Sequence, residues 1–372
     1  MIGTVRTIRT EAGKTLMITG PASFQLIEGK ASVLGAPLGS SRNIVARGKQ
    51  TPIEIRVSSS FRIGLGDDAS VEEIDGSTIP LSWHEAGSAL VELGEGTAVV
   101  IGGADTGKTT LCTFLSNVLA LKDREVTVVD ADIGQTDLGP PTTMGAGEVT
   151  APAVSLSQIE PSERLFIGIT SPGYAKGKVI RSVKRLVSYH TRPGTIVIVN
   201  TDGWVEGSEA VQYKLEMLDE LQPDITLGVG SEISQVLQAG NRTTLLVGSP
   251  DTVRERTRVD RRELRALGYR KYLAGASLRT FHMNGVKLRH CLRPDDLDLS
   301  RVPRLQLQNL KDTIVGFLDS DDFLQEIGIL KDIVPSSRIA KIWSRILDAP
   351  SRIEIGDVKL NDDGREIGHL GQ

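Results

Sequence analysis

The alternation of apolar and polar positions divides the chain into three stretches. Over residues 1–93, short apolar runs are punctuated by glycine: "SFQLIEG", "ASVLG", "TPIEIRV", "SSFRIGLG" and "STIPL". Runs of this length between turn residues predict a small antiparallel β domain. Over residues 94–278 the rhythm changes. "GTAVVIGG" reads as a strand, "KTTLCTFLSNVLAL" as a helix and "REVTVVDAD" as a second strand. "RLFIGIT", "GTIVIVNTDG" and "PDITLGVG" follow as further β-branched runs, most of them separated by helical stretches. That alternation predicts an α/β domain with a doubly wound, mostly parallel sheet and covering helices. From residue 279 onward, "TIVGFLDSDDFLQEIGIL" and "SRIEIGDVKL" return to short apolar runs and turns, which predicts a small, mainly β C-terminal domain.

Composition narrows the partners. Lys and Arg number 43 against 47 Asp and Glu, a net charge of −4, so no global basic field draws in nucleic acid. Any such contact must be a local patch. Cys112 and Cys291 are far apart and form neither a metal-ligand spacing nor a disulfide framework. That usage fits a reducing cytosol, and the expected localisation is cytoplasmic. The N-terminal "MIGTVRTIRTEAGKTLMITG" lacks the apolar core of a signal peptide. No run approaches the roughly eighteen apolar residues that a membrane span needs, so no membrane partner is expected.

The stretch that changes the picture most is "GGADTGKTT", residues 102–110. It fits G-x-x-x-x-G-K-[ST], and an apolar strand runs into it while a helix opens after Lys108. In that context Gly102, Gly103, Ala104, Asp105, Thr106 and Gly107 turn backbone N–H groups onto phosphates, helped by the helix N-terminus. Lys108 is expected at the β/γ-phosphates, the Thr109 hydroxyl on Mg²⁺, and Thr110 beside them. The central domain is therefore read as a P-loop NTPase domain that uses ATP or another NTP with Mg²⁺. The next strand ends in "VTVVDADIGQTD". Asp130 is the expected acid on the magnesium side. Asp132, two residues on along an extended chain, projects the same way and suits proton abstraction from a nucleophile; its plain alternative is a turn residue. Gln135 is a candidate contact to phosphate or acceptor, or simply a loop amide.

Three further segments bear on what receives the phosphate. In "VNTDGWVEGS", Trp204 follows a turn glycine at the C-terminal mouth of a strand, the edge where open α/β sheets bind ligands. An exposed indole there suits stacking on a base; the alternative folds it onto its own domain. "DTVRERTRVDRRELRALGYRKYLAG" places Arg254, Arg258, Arg261, Arg262 and Arg265 on one helical arc and Val253, Leu264 and Leu267 on another. That pattern predicts an arginine-bearing lid over the phosphates at about residues 251–272, against the alternative of a solvated face. "TSPGYAKGK" brings Tyr174, Lys176 and Lys178 to another strand mouth, as acceptor contacts or as an ordinary loop.

Taken in order, "GGADTGKTT", "DADIGQTD", "TDGW" and "RTRVDRRELRALGYRKYLAG" resemble the motifs of the polynucleotide 5′-hydroxyl kinases, the family of the tRNA-splicing kinase of the mRNA cleavage complex and of the pre-rRNA-processing kinase. The similarity covers most of the chain, and the archaeal members are the expected group. The resemblance implies a phosphate-binding loop at Gly102, Gly107, Lys108, Thr109 and Thr110. It implies a general base toward an RNA 5′-hydroxyl at Asp132, magnesium service at Asp130 and a phosphate or acceptor contact at Gln135. It also implies a clasp at Thr201, Gly203 and Trp204, and an R-x-x-x-R lid laid either on Arg258 and Arg262 or on Arg261 and Arg265. Gly103 stands where many relatives have proline, and Arg258 where some have lysine. The expected reaction is transfer of the NTP γ-phosphate to the 5′-hydroxyl of RNA, or of DNA. The rival expectations are a non-catalytic ATP-binding scaffold and an NTPase switch.

Overall fold

A computed structural model describes residues 5–230, 233, 236, 242–283, 286–293, 308–347 and 350–370. The first stretch forms one seven-stranded sheet, ordered β4-β3-β6-β2-β7 with β1 on β6 and β5 on β3. Its strands are β1 (Val5–Thr10), β2 (Lys14–Thr19), β3 (Ala22–Val33), β4 (Ala36–Pro37), β5 (Asn43–Val45), β6 (Gln50–Leu65) and β7 (Ser70–Asp75). All its pairings are antiparallel, and the two longest strands, β3 and β6, form its spine. Phe24 and Leu26 on β3 and Ile53, Ile55, Phe61 and Ile63 on β6 point alternately inward, as half-buried strands require.

Residues 81–93 of this stretch form a helix, not a strand: α1 (Leu81–Leu93). Trp83, Ala86 and Leu90 recur at helical spacing on its buried face. That face packs on α2 (Lys108–Ala120), with the Trp83 and Phe114 rings 5.9 Å apart.

The central sheet contains β8 (Gly96–Gly102), β9 (Glu125–Asp130), β10 (Thr143–Glu148), β11 (Glu163–Phe166), β12 (Thr195–Asn200), β13 (Ile225–Val229) and β14 (Thr244–Val247), ordered β11-β10-β9-β12-β8-β13-β14. β9, β12, β8, β13 and β14 are parallel. β10 and β11 are antiparallel additions at one edge. The expectation of a mostly parallel sheet holds, while "RLFIGIT" supplies an edge hairpin strand and not a parallel one. Alternate residues of the parallel strands enter two different cores. Ala98, Val100, Val128 and Ile198 face α1, α2 and the N-terminal sheet. Val99, Ile101, Val129 and Val199 face α3 (Lys176–His190) and α4 (Ser208–Leu221). This two-sided burial is why those strands read as unbroken apolar runs.

After α5 (Arg258–Leu273) the chain forms a third seven-stranded sheet, among the described residues. It comprises β15 (Ser277–His282), β16 (Lys287–His290), β17 (Thr313–Leu318), β18 (Leu324–Val334), β19 (Ile339–Ser344), β20 (Arg352–Leu360) and β21 (Glu366–His369). Ile314, Leu318, Ile327 and Val358 of this sheet join the core beneath α3 and α4, so it is fastened to the central domain by apolar burial. No helix among the described residues is long and apolar enough to cross a membrane.

Candidate nucleotide and acceptor site

β12 lies between β9 and β8, so three neighbouring parallel strands end side by side at one mouth. β8 delivers Gly102 and the loop, β9 delivers Asp130, and β12 delivers Asn200. Sites of open α/β sheets form at this edge.

The loop is built by its glycines. A Cβ on Gly102 would lie 2.7 Å from the Val229 carbonyl oxygen, and Gly107 takes φ +94° to open α2. Lys108 is buried and donates its ammonium to the Gly103 carbonyl across the loop. Burial pulls its pKa down, and the Asp132 carboxylate opposes that. Thr106 closes the turn by donating to the Gly103 carbonyl at 3.0 Å. Thr110 follows in the first turn of α2.

Asp130 is buried at the end of β9. Its carboxylate accepts from Asn200 Nδ2 at 2.9 Å, the Thr136 hydroxyl at 3.1 Å and the Asp137 backbone N–H at 2.6 Å. Burial pushes its pKa up to about 7, helped by the neighbouring carboxylates of Asp137 and Asp132. The Asn200 amide also donates to Thr109 Oγ1 at 3.2 Å, which ties the two residues expected on the magnesium side to one side chain. Asn200 Oδ1 is buried without a hydrogen-bond partner. Hard oxygen donors gathered beside an unpartnered amide oxygen fit a small divalent cation that keeps several waters.

Asp132 shows the turn reading. Its Oδ1 accepts from the backbone N–H groups of Gly134 and Gln135, each at 3.1 Å, so it is a turn residue. Those bonds fix the carboxylate at the strand mouth beside Lys108. Burial raises its pKa, Lys108 lowers it and Asp202 raises it. Gln135 does not point free into the loop; its amide donates to the Arg261 carbonyl of α5 at 3.2 Å.

The "TDGW" turn closes directly on the phosphate loop. A Cβ on Gly203 would lie 2.7 Å from Ala104 Cα, so only glycine permits this approach. Thr201 is buried and donates to the Val100 carbonyl at 2.8 Å. Trp204 is half-buried, not the fully exposed indole that the sequence suggested, because one face lies on Tyr213 with ring centroids 5.6 Å apart. Its edge meets Gly173 of the Pro172–Tyr174 turn, and Tyr174 beside it is 73% exposed. Beneath the clasp lies a fully buried Lys214 ammonium. It reaches Asp202 Oδ2 at 3.0 Å and the Asp202 carbonyl at 2.9 Å. Tyr213 Oη donates to Asp202 Oδ2 at 2.8 Å, and the Trp204 backbone N–H donates to Oδ1 at 3.0 Å. Lys176 and Lys178 are not open acceptor contacts here. Lys176 pairs with Glu209 at 2.6 Å, and Lys178 pairs with Glu354 of β20.

The arginine-bearing helix α5 begins at Arg258, capped by Thr257 with a reciprocal Asp260 capping box. Arg254 and Val253 therefore lie before it, outside the arc drawn from the sequence. The buried side is Ala266, Tyr269 and Leu273, whereas Leu267 is exposed; the apolar arc drawn from Val253, Leu264 and Leu267 was misplaced. The arginines divide. Arg261 pairs with the loop carboxylate Asp105 at 2.7 Å, and Arg256 adds a backbone N–H at 2.9 Å and a guanidinium at 3.5 Å. Arg265 grips Glu366 of β21 through two nitrogens at 2.5 and 2.7 Å, and Arg262 donates to the Glu366 carbonyl. Arg258 is exposed.

Sequence reasoning missed Asn200, Asp202, Tyr213, Lys214 and Glu366. Asn200 had a signal, a polar residue ending the apolar run "TIVIVN". Lys214 had none, since its burial is decided by the packing of α4.

Residues 102–275 match the family described as mRNA cleavage and polyadenylation factor CLP1 P-loop. A polyribonucleotide 5′-hydroxyl-kinase of Pyrococcus horikoshii is 26% identical over 74% of this chain and 88% of its own length. One from Thermococcus kodakarensis is 28% identical over 74% and 91%. The polyribonucleotide 5′-hydroxyl-kinase Clp1 of Danio rerio is 25% identical over 92% and 85%. In a solved complex of wild-type Clp1p with Pcf11p, one chain aligns with a TM-score of 0.74 at 14% identity, covering 96% of this chain and 99% of that one, which bears on the fold.

Proposed function

From the match of residues 102–275 to the CLP1 P-loop family, we propose that the chain is a member of that family and an ATP-dependent polynucleotide 5′-hydroxyl kinase acting on RNA. Curated relatives along most of its length carry that activity in their names. The single observation that carries the reading is convergence. The Lys108 loop, the Asp132 carboxylate, the Trp204 clasp and the Arg261 lid all meet at the mouth of β8, β9 and β12.

The chemistry follows from what each group can do. The loop N–H groups and Lys108 bind the β- and γ-phosphates, for which Lys108 exchanges its contact with the Gly103 carbonyl. Thr109, and Asp130 behind it, would hold Mg²⁺, which when bound neutralises charge on the phosphate oxygens. The RNA 5′ nucleotide stacks on the open face of Trp204, whose other face Tyr213 supports. Asp132 then orients the 5′-hydroxyl and takes its proton as the O–Pγ bond forms and the bond from Pγ to the β,γ-bridging oxygen breaks. Arg261, held over the loop by Asp105, stabilises the charge on the transferring oxygens. Positioning and electrostatics therefore do most of the catalysis.

The test is one reaction with γ-labelled ATP, Mg²⁺ and a short RNA, either 5′-hydroxyl or already 5′-phosphorylated. Label is expected on the hydroxyl-ended strand alone. Label on neither strand, with ATP still bound, would overturn the reading in favour of an ATP-binding scaffold. Phosphate release without an acceptor would overturn it in favour of an NTPase switch.

A further inference from the structure

A cavity of about 300 Å³, with an apolar floor of Leu165, Phe166 and Leu318, lies where α3 meets the C-terminal sheet, outside the site described above. Lys178, Arg181 and Arg185 line it from α3, Arg289 from β16 and Arg352 from β20. The three α3 residues are spaced by three and four positions, so they share one helix face along about 10 Å of axis. Two carboxylates also line the cavity, Glu354 paired with Lys178 and Asp322 paired with Arg352. Leaving Arg289 aside, Lys178, Arg181, Arg185 and Arg352 are four cations against these two lining carboxylates, in a chain whose net charge is −4. Two further carboxylates of the rim turn, Asp319 and Asp321, stand outside the lining. Asp319 is turned onto the backbone N–H groups of Asp321 and Phe323, and Arg185 donates to the Asp321 carbonyl while its guanidinium lies 4.4 Å over the Phe323 ring. Arg181 is exposed and has no ion pair among the described residues.

The chain links the cavity to the clasp through one short turn. Trp204 touches Gly173, the Pro172–Tyr174 turn leads straight into α3, and Lys178 sits in the first turn of that helix. Tyr174, in the turn that joins them, is exposed. A single strand with its first base on Trp204 thus meets an aromatic ring and then a row of guanidinium groups. Stacking followed by cationic backbone contact is how sequence-tolerant single-strand sites are built. Arginine forks suit phosphate oxygens in particular.

We infer that this groove binds the sugar–phosphate backbone of the acceptor RNA downstream of its 5′-terminal nucleotides. The inference deepens the kinase reading and rests on it. It makes the enzyme length-sensitive, with short acceptors using only the clasp and longer ones using clasp and groove.

The test compares a 5′-hydroxyl dinucleotide with a 5′-hydroxyl 20-nucleotide RNA, both phosphorylated by the full chain and by Arg181→Glu and Arg181→Lys variants. Arg181 is exposed and unpaired, so the variants fold, and a thermal melt confirms it. For the wild type, KM is expected to be lower for the longer RNA. Arg181→Glu should raise that KM roughly tenfold, leave kcat and the dinucleotide KM unchanged, and flatten the dependence of log KM on log salt by about 0.7 per lost phosphate contact. Arg181→Lys should restore most of the effect. Equal KM values for the two acceptors in the wild type, or a shift shared by both in Arg181→Glu, would overturn the groove. If the wild type phosphorylates neither acceptor, the kinase reading fails separately. Fluorescence anisotropy of the labelled 20-mer then decides the groove: weaker binding by Arg181→Glu supports it, and unchanged binding overturns it. A groove that loses poly-glutamate but not RNA in Arg181→Glu would be a site for an acidic peptide, which also overturns the proposal.

Discussion

The role proposed for Asp132 depends on one backbone turn. With Oδ1 held by the N–H groups of Gly134 and Gln135, the carboxylate cannot swing away from the strand mouth. Asp132→Asn keeps an acceptor for both N–H groups and removes only the basicity. Its kcat is expected to fall roughly 10²–10⁴-fold, with ATP affinity by equilibrium titration within about twofold of wild type. Normal turnover in that variant would remove Asp132 from its proposed role. Asp105 presents a different case. A carboxylate inside a phosphate loop repels its own ligand unless it is neutralised, and Arg256 and Arg261 supply the neutralisation. Asp105→Ala should release Arg261 from its pose, and single-turnover transfer should slow toward the rate of Arg261→Ala, itself down roughly 10³-fold. The double variant should be hardly slower than either single one, because both losses act through the same guanidinium. Additive losses would show that the two residues act independently.

At the scale of elements, the sequence was most legible where local rules set the structure. The strand, loop and helix around Lys108 follow from fixed glycine positions, whereas the start of α5 was read too early although Thr257 and Asp260 make a capping box there. Thr257→Ala should cost about 1 kcal/mol of local stability. Because Arg261 sits in the first turn, that loss should appear as faster amide exchange over residues 257–261 together with a lower kcat. Unchanged exchange would mean that the Arg261–Asp105 pair, not the cap, holds this end. The elements that escaped the sequence reading did so for tertiary reasons. β10 reads "TMGAGE", with almost no β-branched character, because Gly145 and Gly147 must let the Leu138 and Glu160 carbonyls approach within 2.4 and 2.7 Å of where a Cβ would stand. The arginine arc of α5 looked uniform because periodicity records direction and not partner. Only the fold reveals that Arg261 faces the phosphate loop while Arg262 and Arg265 dock on Glu366, a residue about a hundred positions away.

For the whole molecule, three sheets share two large cores beside a smaller one in the C-terminal sheet, and each large core holds one buried cysteine. Cys112 on α2 faces the N-terminal core and Cys291 the core beneath α3 and the C-terminal sheet. The sequence separated the thiols from any metal or disulfide, and their burial was beyond its reach. Burial pushes the Cys112 thiol far up and the Cys291 thiol up to about 12. An unfolded thiol ionises near 8.5. Between those values the unfolded chain loses protons that the folded chain keeps, so it binds fewer protons and stability falls as pH rises. The thiol contribution is fully present below about pH 8.5 and declines above it, by at most about 1.4 kcal/mol per pH unit for each thiol. Buried tyrosines such as Tyr269, also raised by burial, push the same way nearer pH 10, while Lys108, lowered by burial, pushes the other way. A variant with both cysteines changed to alanine isolates the thiols from these groups. Denaturant melts from pH 7.5 to 10 should give the wild type a steeper loss of stability above pH 8.5 than the variant, although the variant is less stable at pH 7.5. Parallel curves would mean that one or both thiols ionise in place, and a thiol reagent at pH 9 would then react with the folded protein, which a neutral buried thiol prevents.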